Sequence, residues 1–318
     1  MSKIRTILAG SLVSVAALAT ATTAARAEFI NILTGGTSGV YYPLGVALSE
    51  IYAKGIEGSR TQVQATKASV ENLNLLASGK GEIAFALGDS VQSAWAGETE
   101  AGFKTPLTNL RAVGGIYNNY VQVVAEAAAG VKTITDLKGK SISVGAPASG
   151  TELNARAIFK AAGMSYEDMS KVEYLPFGES AELIKNRQIQ STLSSAGLGA
   201  AFIKDLATTH EITVVEVPAE IVNAIGAPYV ADVIPAGTYK GQDADVPTAA
   251  ITNILVTSDK VSEETVYQMT KLLFENVEAL KSAHSAAAAI DPAKAVNALP
   301  IPLHPGAEKY YREIGVLK

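Results

Sequence analysis

The chain of 318 residues has no cysteine, three histidines and one tryptophan. Without cysteine there can be no thiol nucleophile, disulfide staple or thiolate metal site. A chain this long needs no staples, because it can bury a sizeable core and has room for two lobes. His210, His284 and His304 stand in no ligand-spaced motif such as H-E-x-x-H, so no metal and no cofactor is expected. There is no G-x-S-x-G elbow and no G-x-x-x-x-G-K-[ST] phosphate loop. A triad of Ser149 or Ser195 with a distant histidine is the one hydrolase arrangement left open, since triad order varies between folds. Basic residues form no stripe, and the net charge is −5, which disfavours nucleic acid as a partner. Only 18% of residues are charged and 48% are hydrophobic, the composition of a folded chain. Past residue 27 no apolar run approaches roughly 18 residues, so no spanning helix is expected.

What is present begins with an export signal. Lys3 and Arg5 precede an apolar, small-residue stretch from Ile7 to Ala21, and Ala25-Arg26-Ala27 reads as an A-x-A cleavage site. Residues 1–27 are therefore expected to be removed as a signal peptide, with the mature chain periplasmic. Losing Lys3, Arg5 and Arg26 moves the net charge from −5 to −8.

The mature chain alternates short apolar strands with amphipathic helices, which predicts α/β lobes with mostly parallel sheets. Strands are expected at Phe29 to Leu33, Thr61 to Ala65, Ile83 to Leu87, Leu110 to Ile116, Val121 to Ala125, Ser141 to Gly145, Val172 to Leu175, Gln190 to Leu193, Ile212 to Val217 and Ala249 to Thr257. The expected division is a first part of lobe I at 28–119, lobe II at 120–235, and a return to lobe I with C-terminal helices at 236–318. Tyr117 and Tyr120 flank the crossing at Asn118-Asn119, where they either pack at a hinge or face a cleft. A monomer is expected.

In open α/β sheets, ligands bind beyond the carboxyl ends of strands, where helix N-termini point. Five small, hydroxyl-rich loops are expected there: Gly36-Thr37-Ser38-Gly39, Ala68-Ser69-Val70-Glu71, Gly88-Asp89-Ser90, Ala148-Ser149-Gly150-Thr151 and Ser194-Ser195-Ala196-Gly197. Each offers N–H groups and a positive helix end. Desolvating a carboxylate costs several kcal/mol, and a hydrogen bond to a charged group returns roughly 1.5–3 kcal/mol. Three or four donors per carboxylate are needed, and five such loops can supply them without an arginine. Tyr41 is preferred over Tyr42 as a ligand contact. Asp89 reads either as an N-cap or as a partner for a ligand ammonium.

Several stretches resemble the TAXI-type solute-binding proteins of TRAP (tripartite ATP-independent periplasmic) transporters. They are Thr34-Gly-Gly-Thr-Ser-Gly-Val-Tyr-Tyr-Pro-Leu-Gly45, Ala65-Thr-Lys-Ala-Ser-Val-Glu-Asn-Leu73, Ile83-Ala-Phe-Ala-Leu-Gly-Asp89, Asp136 through Thr151, and His304 through Gly315. The resemblance spans essentially the whole mature chain. It implies a two-lobe periplasmic binding protein of the type II clamshell class, with the ligand cleft between lobes and no catalysis. It implies capture of a small carboxylate or amino acid (glutamate, glutamine, 2-oxoglutarate or a related dicarboxylate) and delivery to small and large TRAP membrane subunits, separate or fused. Carried over by motif, ligand contacts fall on Gly36, Thr37, Ser38, Gly39 and Tyr41, then on Ser69, Val70 and Asn72, and on Asp89 or Ser90. Ser149, Gly150 and Thr151 serve from the second lobe, and Ser195, Ala196 and Gly197 close the site. Lys67 departs from the pattern, since many relatives have glycine there; it would either meet a second carboxylate or point into solvent. The same clamshell would also suit a sensor that presents ligand to a histidine kinase.

Overall fold

A computed structural model describes residues 28–318. The expected signal peptide lies outside them. Ten strands and ten helices alternate as β1 (Phe29–Leu33), α1 (Tyr41–Gly55), β2 (Arg60–Gln64), α2 (Ser69–Ala77), β3 (Ile83–Leu87), α3 (Gly88–Ala96) and β4 (Leu110–Glu126). There follow β5 (Ser141–Ser143), α4 (Gly150–Ala161), β6 (Lys171–Glu173), α5 (Phe177–Lys185), β7 (Ser191–Ala196), α6 (Ala201–Thr209) and β8 (Ile212–Val215). The chain ends with α7 (Ala219–Ile225), β9 (Val230–Ile234), β10 (Val246–Ser258), α8 (Glu263–Glu275), α9 (Val277–Ala283) and α10 (Pro305–Glu313).

All ten strands join one sheet, in the order β2-β1-β3-β10-β4-β7-β5-β6, with β8 on β4 and β9 on β10. The outer strands β2-β1-β3 and β7-β5-β6 are parallel, as the strand–helix alternation requires. The middle is antiparallel, and this is what makes two lobes. β4 and β10 are long and run side by side in opposite directions. The first half of β10 pairs with β9, and its second half pairs with β3. The second half of β4 pairs with β7 and β8. Each long strand thus belongs to both halves of the sheet, and both cross near Asn118 and Thr252, where the register slips between Thr252 and Ile254.

Two expectations are corrected here. Leu110 to Ile116 and Val121 to Ala125 are not separate strands, because the intervening Tyr117-Asn118-Asn119-Tyr120 stays hydrogen-bonded in β4. Ser194, Ser195 and Ala196 are not a loop but the end of β7.

Apolar residues fill both faces of each half. Leu33, Val70, Leu73, Leu76, Ala86, Val91 and Phe103 pack one side of the first half. Val121, Val123, Ile142, Ile158, Phe159 and Leu193 pack the second. A third cluster runs through both, linking Tyr41, Leu44 and Leu48 of α1 to Phe202, Ile203 and Leu206 of α6. Among the described residues no helix is long and apolar enough to cross a membrane.

Candidate functional site

The carboxyl ends of β1, β2, β3, β5 and β7 converge on a cavity of about 100 Å³ between the two halves of the sheet. Gly35, Gly36, Gly39, Val40, Tyr41, Thr66, Lys67, Ala68, Ser69 and Leu87 wall it from the first half. Ala146, Ser149, Gly150, Thr151, Pro176, Phe177, Ser195 and Ala196 wall it from the second, and Asn119 of the crossing strand lies between.

Three hydroxyls in this wall share one arrangement. Ser69 Oγ accepts the Leu87 N–H at 3.1 Å, Ser149 Oγ accepts the Glu152 N–H at 3.2 Å, and Thr151 Oγ1 accepts the Ser195 N–H at 3.2 Å. All three residues are buried. With a lone pair committed to the backbone, each oxygen still has its proton to donate. The first N–H groups of α2 (Ser69, Val70) and α4 (Gly150, Thr151) have no intrahelical acceptor and carry the positive end of the helix dipole. Lys67 lines the cavity at its exposed rim. The lining therefore presents donors and positive potential from both sides.

A row of hydrogen bonds crosses the floor. The Tyr41 hydroxyl donates to Asn253 Oδ1. Asn253 Nδ2 donates to Tyr117 O at 3.0 Å and Asn119 Oδ1 at 2.8 Å, and Asn119 Nδ2 donates to Ser195 O at 3.0 Å. The register slip of β10 falls at Asn253, so its side chain supplies bonds where the ladder shifts. Burial pushes the Tyr41 hydroxyl far above its ordinary pKa, so it remains a neutral donor.

The two halves also touch directly. The Glu71 N–H donates to Ala148 O at 3.2 Å. Ala68 and Ala148, which precede α2 and α4, both adopt positive φ, 74° and 59°. Such a conformation costs an alanine roughly 1–3 kcal/mol. Gly150 is pressed so close to the first half that an added Cβ would lie 2.7 Å from Ser69 Oγ and 2.9 Å from Ser90 Oγ. Beside the cavity, Asp89 Oδ2 accepts from Asn154 Nδ2 at 2.5 Å and from the Tyr229 hydroxyl at 2.7 Å. Asn154 Oδ1 in turn accepts from Ser195 Oγ at 2.5 Å. Burial pushes the Asp89 carboxyl above its usual range, against the pull of bonds from Tyr229, Ser90 and Asn154. Arg156 spans the same seam, pairing with Glu152 at 2.7 Å and donating to Glu100 O at 2.9 Å.

Of the residues expected to bind ligand, Gly36, Gly39, Tyr41, Lys67, Ser69, Ser149, Gly150, Thr151, Ser195 and Ala196 lie in the wall. Thr37, Ser38, Val70, Asn72, Asp89, Ser90 and Gly197 do not. Asn72 lies behind it, donating to Thr34 O at 2.6 Å and Phe85 O at 2.8 Å, and so ties the β1 loop to β3. Asp89 is neither N-cap nor wall: α3 starts at Gly88, and the carboxylate faces Asn154 and Tyr229. Ser69 does not cap α2, because its oxygen goes to Leu87 instead. Sequence reasoning missed Asn119, Phe177 and Leu87. Asn119 sits mid-strand in a buried position, and a polar residue at that point of a strand was a usable signal.

The fold has counterparts among solved structures. The periplasmic binding protein BugD is similar at 10% identity and a TM-score of 0.57, over 91% of this chain and 94% of that one. A putative L-cystine ABC transporter protein from Listeria monocytogenes is similar at 15% identity and 0.52, over 83% and 98%. The alkanesulfonate-binding protein SsuA from Xanthomonas axonopodis pv. citri, bound to MOPS, is similar at 14% identity and 0.50, over 93% and 96%. At these identities the likeness establishes the fold, a type II periplasmic binding protein fold. The NMT1-like family matches residues 32–315, from the first strand to the end of the last helix, and the chain is a member of that family.

Proposed function

We propose that this chain is a periplasmic solute receptor of a TRAP transporter that closes two lobes on a small carboxylate and hands it to the membrane subunits. One observation carries the reading: the hydroxyls of Ser69, Ser149 and Thr151, each already accepting a backbone N–H, two helix N-termini and Lys67 all line one cavity. Such a donor set meets the three or four bonds that a desolvated carboxylate needs. The TAXI-like stretches contribute much of this wall, which supports a TRAP partner. Solved proteins of the same fold described as binding proteins support capture rather than turnover.

A thermal-shift screen of the mature chain against small acids, neutral sugars and amines tests this. At 100 times Kd a ligand adds about 2.7 kcal/mol, a rise of about 5–10 °C for a protein of this size. An acid is expected to give that shift. A shift from a sugar or amine with none from any acid would refute the proposal.

A further inference from the structure

Within the carboxylate reading just given, on which this step rests, we infer that the site takes acids without an amino group: short oxo, hydroxy or unsubstituted carboxylates rather than α-amino acids. An α-amino acid brings a carboxylate and an ammonium within one carbon of each other. The first needs donors, the second acceptors, and preferably an anion. The cavity supplies only the first kind of partner in charged form.

Its charge inventory is one-sided. Lys67 is the ionisable cation in the wall, and the two helix starts add further positive potential. Of the carboxylates beside the wall, Glu71 Oε2 accepts the Lys67 N–H at 2.6 Å, and Asp89 faces the seam between the halves. Asp89 lies outside the wall, with Oδ2 held at 2.5 Å by Asn154 and 2.7 Å by Tyr229. Turning the carboxylate into the cavity would break both bonds, although its Oδ1 is buried without a hydrogen-bond partner among the described residues. The side-chain amide acceptor in the wall is also used, since Asn119 Oδ1 takes the Asn253 Nδ2 proton at 2.8 Å. Thr66 Oγ1 accepts the Ala68 N–H at 3.0 Å and lies 2.7 Å from Asn72 Oδ1, to which it gives its proton. What remains in the wall for an ammonium is neutral lone pairs on hydroxyls and backbone carbonyls. That leaves a cation without an anionic partner beside like charge.

Apolar side chains (Val40, Leu87, Pro176, Phe177) occupy much of the wall, suiting the short carbon skeleton of a simple acid.

The test is calorimetric titration of the full mature chain with matched pairs that differ in the amino group: pyruvate and L-alanine, succinate and L-aspartate, 2-oxoglutarate and L-glutamate. The acid without nitrogen is expected to bind at least about tenfold tighter in every pair that binds, since sites reject groups whose polar atoms they leave unpaired. Equal or tighter binding of the amino acid in any pair overturns this inference and leaves the carboxylate reading standing. If no member of any pair binds while a sugar or amine does, both fall together.

Discussion

The Asp89 carboxylate in the first half of the molecule accepts the Tyr229 hydroxyl of the second half at 2.7 Å, and Asn154 shares the same oxygen. These bonds exist only when the halves meet, so they stabilise the closed form selectively. Asp89→Ala removes the acceptor of the Tyr229 hydroxyl, while Asn154 Nδ2 keeps its bond to the Tyr229 oxygen at 2.8 Å. It should weaken affinity for a bound acid by about 2–4 kcal/mol, with a larger radius of gyration by small-angle scattering. Asp89→Asn keeps an acceptor in place and should remain closed.

The same pair sets a pH dependence. Burial raises the Asp89 pKa, so the closed protein holds a proton more tightly than the unfolded chain does. The contribution is fully present below the ordinary aspartate value near 3.8 and is lost as pH rises through the raised value. A melting series across that window should show wild type losing stability relative to Asp89→Asn as pH rises. Parallel curves for the two would mean that Asp89 titrates normally.

Gly150 is where the closed form has no room. A Cβ there would meet Leu87 Cδ1 and Ser69 Oγ, both at 2.7 Å. Gly150→Ala is a mild change within α4, but it should hold the halves apart. We expect little change in melting temperature without ligand and an affinity loss of at least about tenfold, roughly 1.4 kcal/mol. Unchanged affinity by titration would show that closure tolerates the methyl group.

Thr151 and Ser69 each do two things, and substitution can separate them. On the proposed function, Thr151→Ala deletes a donor to the ligand, and it also orphans the Ser195 N–H. Both stability and affinity should fall, by about 1–3 kcal/mol each. Thr151→Ser restores the oxygen and should recover both. Ser69→Ala should behave like Thr151→Ala through Leu87. A variant that loses stability but keeps affinity would place that hydroxyl behind the wall rather than facing the ligand.

His304 gives a prediction remote from the cavity. Its Nδ1 accepts the Gly306 N–H at 3.1 Å at the start of α10, and its Nε2 lies 3.1 Å from Val261 O. Burial depresses its pKa below the usual 6.5. The neutral ring is therefore the folded form, and its contribution is present above pH 6.5 and lost as pH falls through the depressed value. His304→Asn retains a good N-cap and should lessen this acid sensitivity, whereas His304→Ala should cost about 1 kcal/mol at neutral pH. Melts recorded at pH 5 and pH 8 would distinguish them.

Much of this arrangement was legible in the residues, for identifiable reasons. The alternation of apolar strand and amphipathic helix gave the outer strands, because parallel strands need helical crossovers. The small residues at Ser69 and Ser149 marked the starts of α2 and α4. Asp89 misled because an acidic residue after a strand looks the same whether its partner is a ligand or the opposite lobe. Nothing local to Asp89 encodes Tyr229, which lies 140 residues away. Ser195 misled because a Ser-Ser-Ala-Gly run reads as a loop, whereas pairing with Val121 holds it in a strand. Tertiary pairing decided both cases.

If the chain is the receptor proposed above, the paired crossing of β4 and β10 constrains how it can read its cargo. Two strands bonded side by side along their length would bend together as one ribbon, giving the lobes essentially a single angle to vary. A solute longer than the cavity would stop that angle short, leaving Tyr229 out of reach of Asp89. Cargo length would thus be translated into one visible outcome, latched or unlatched, which a membrane partner could inspect without touching the solute.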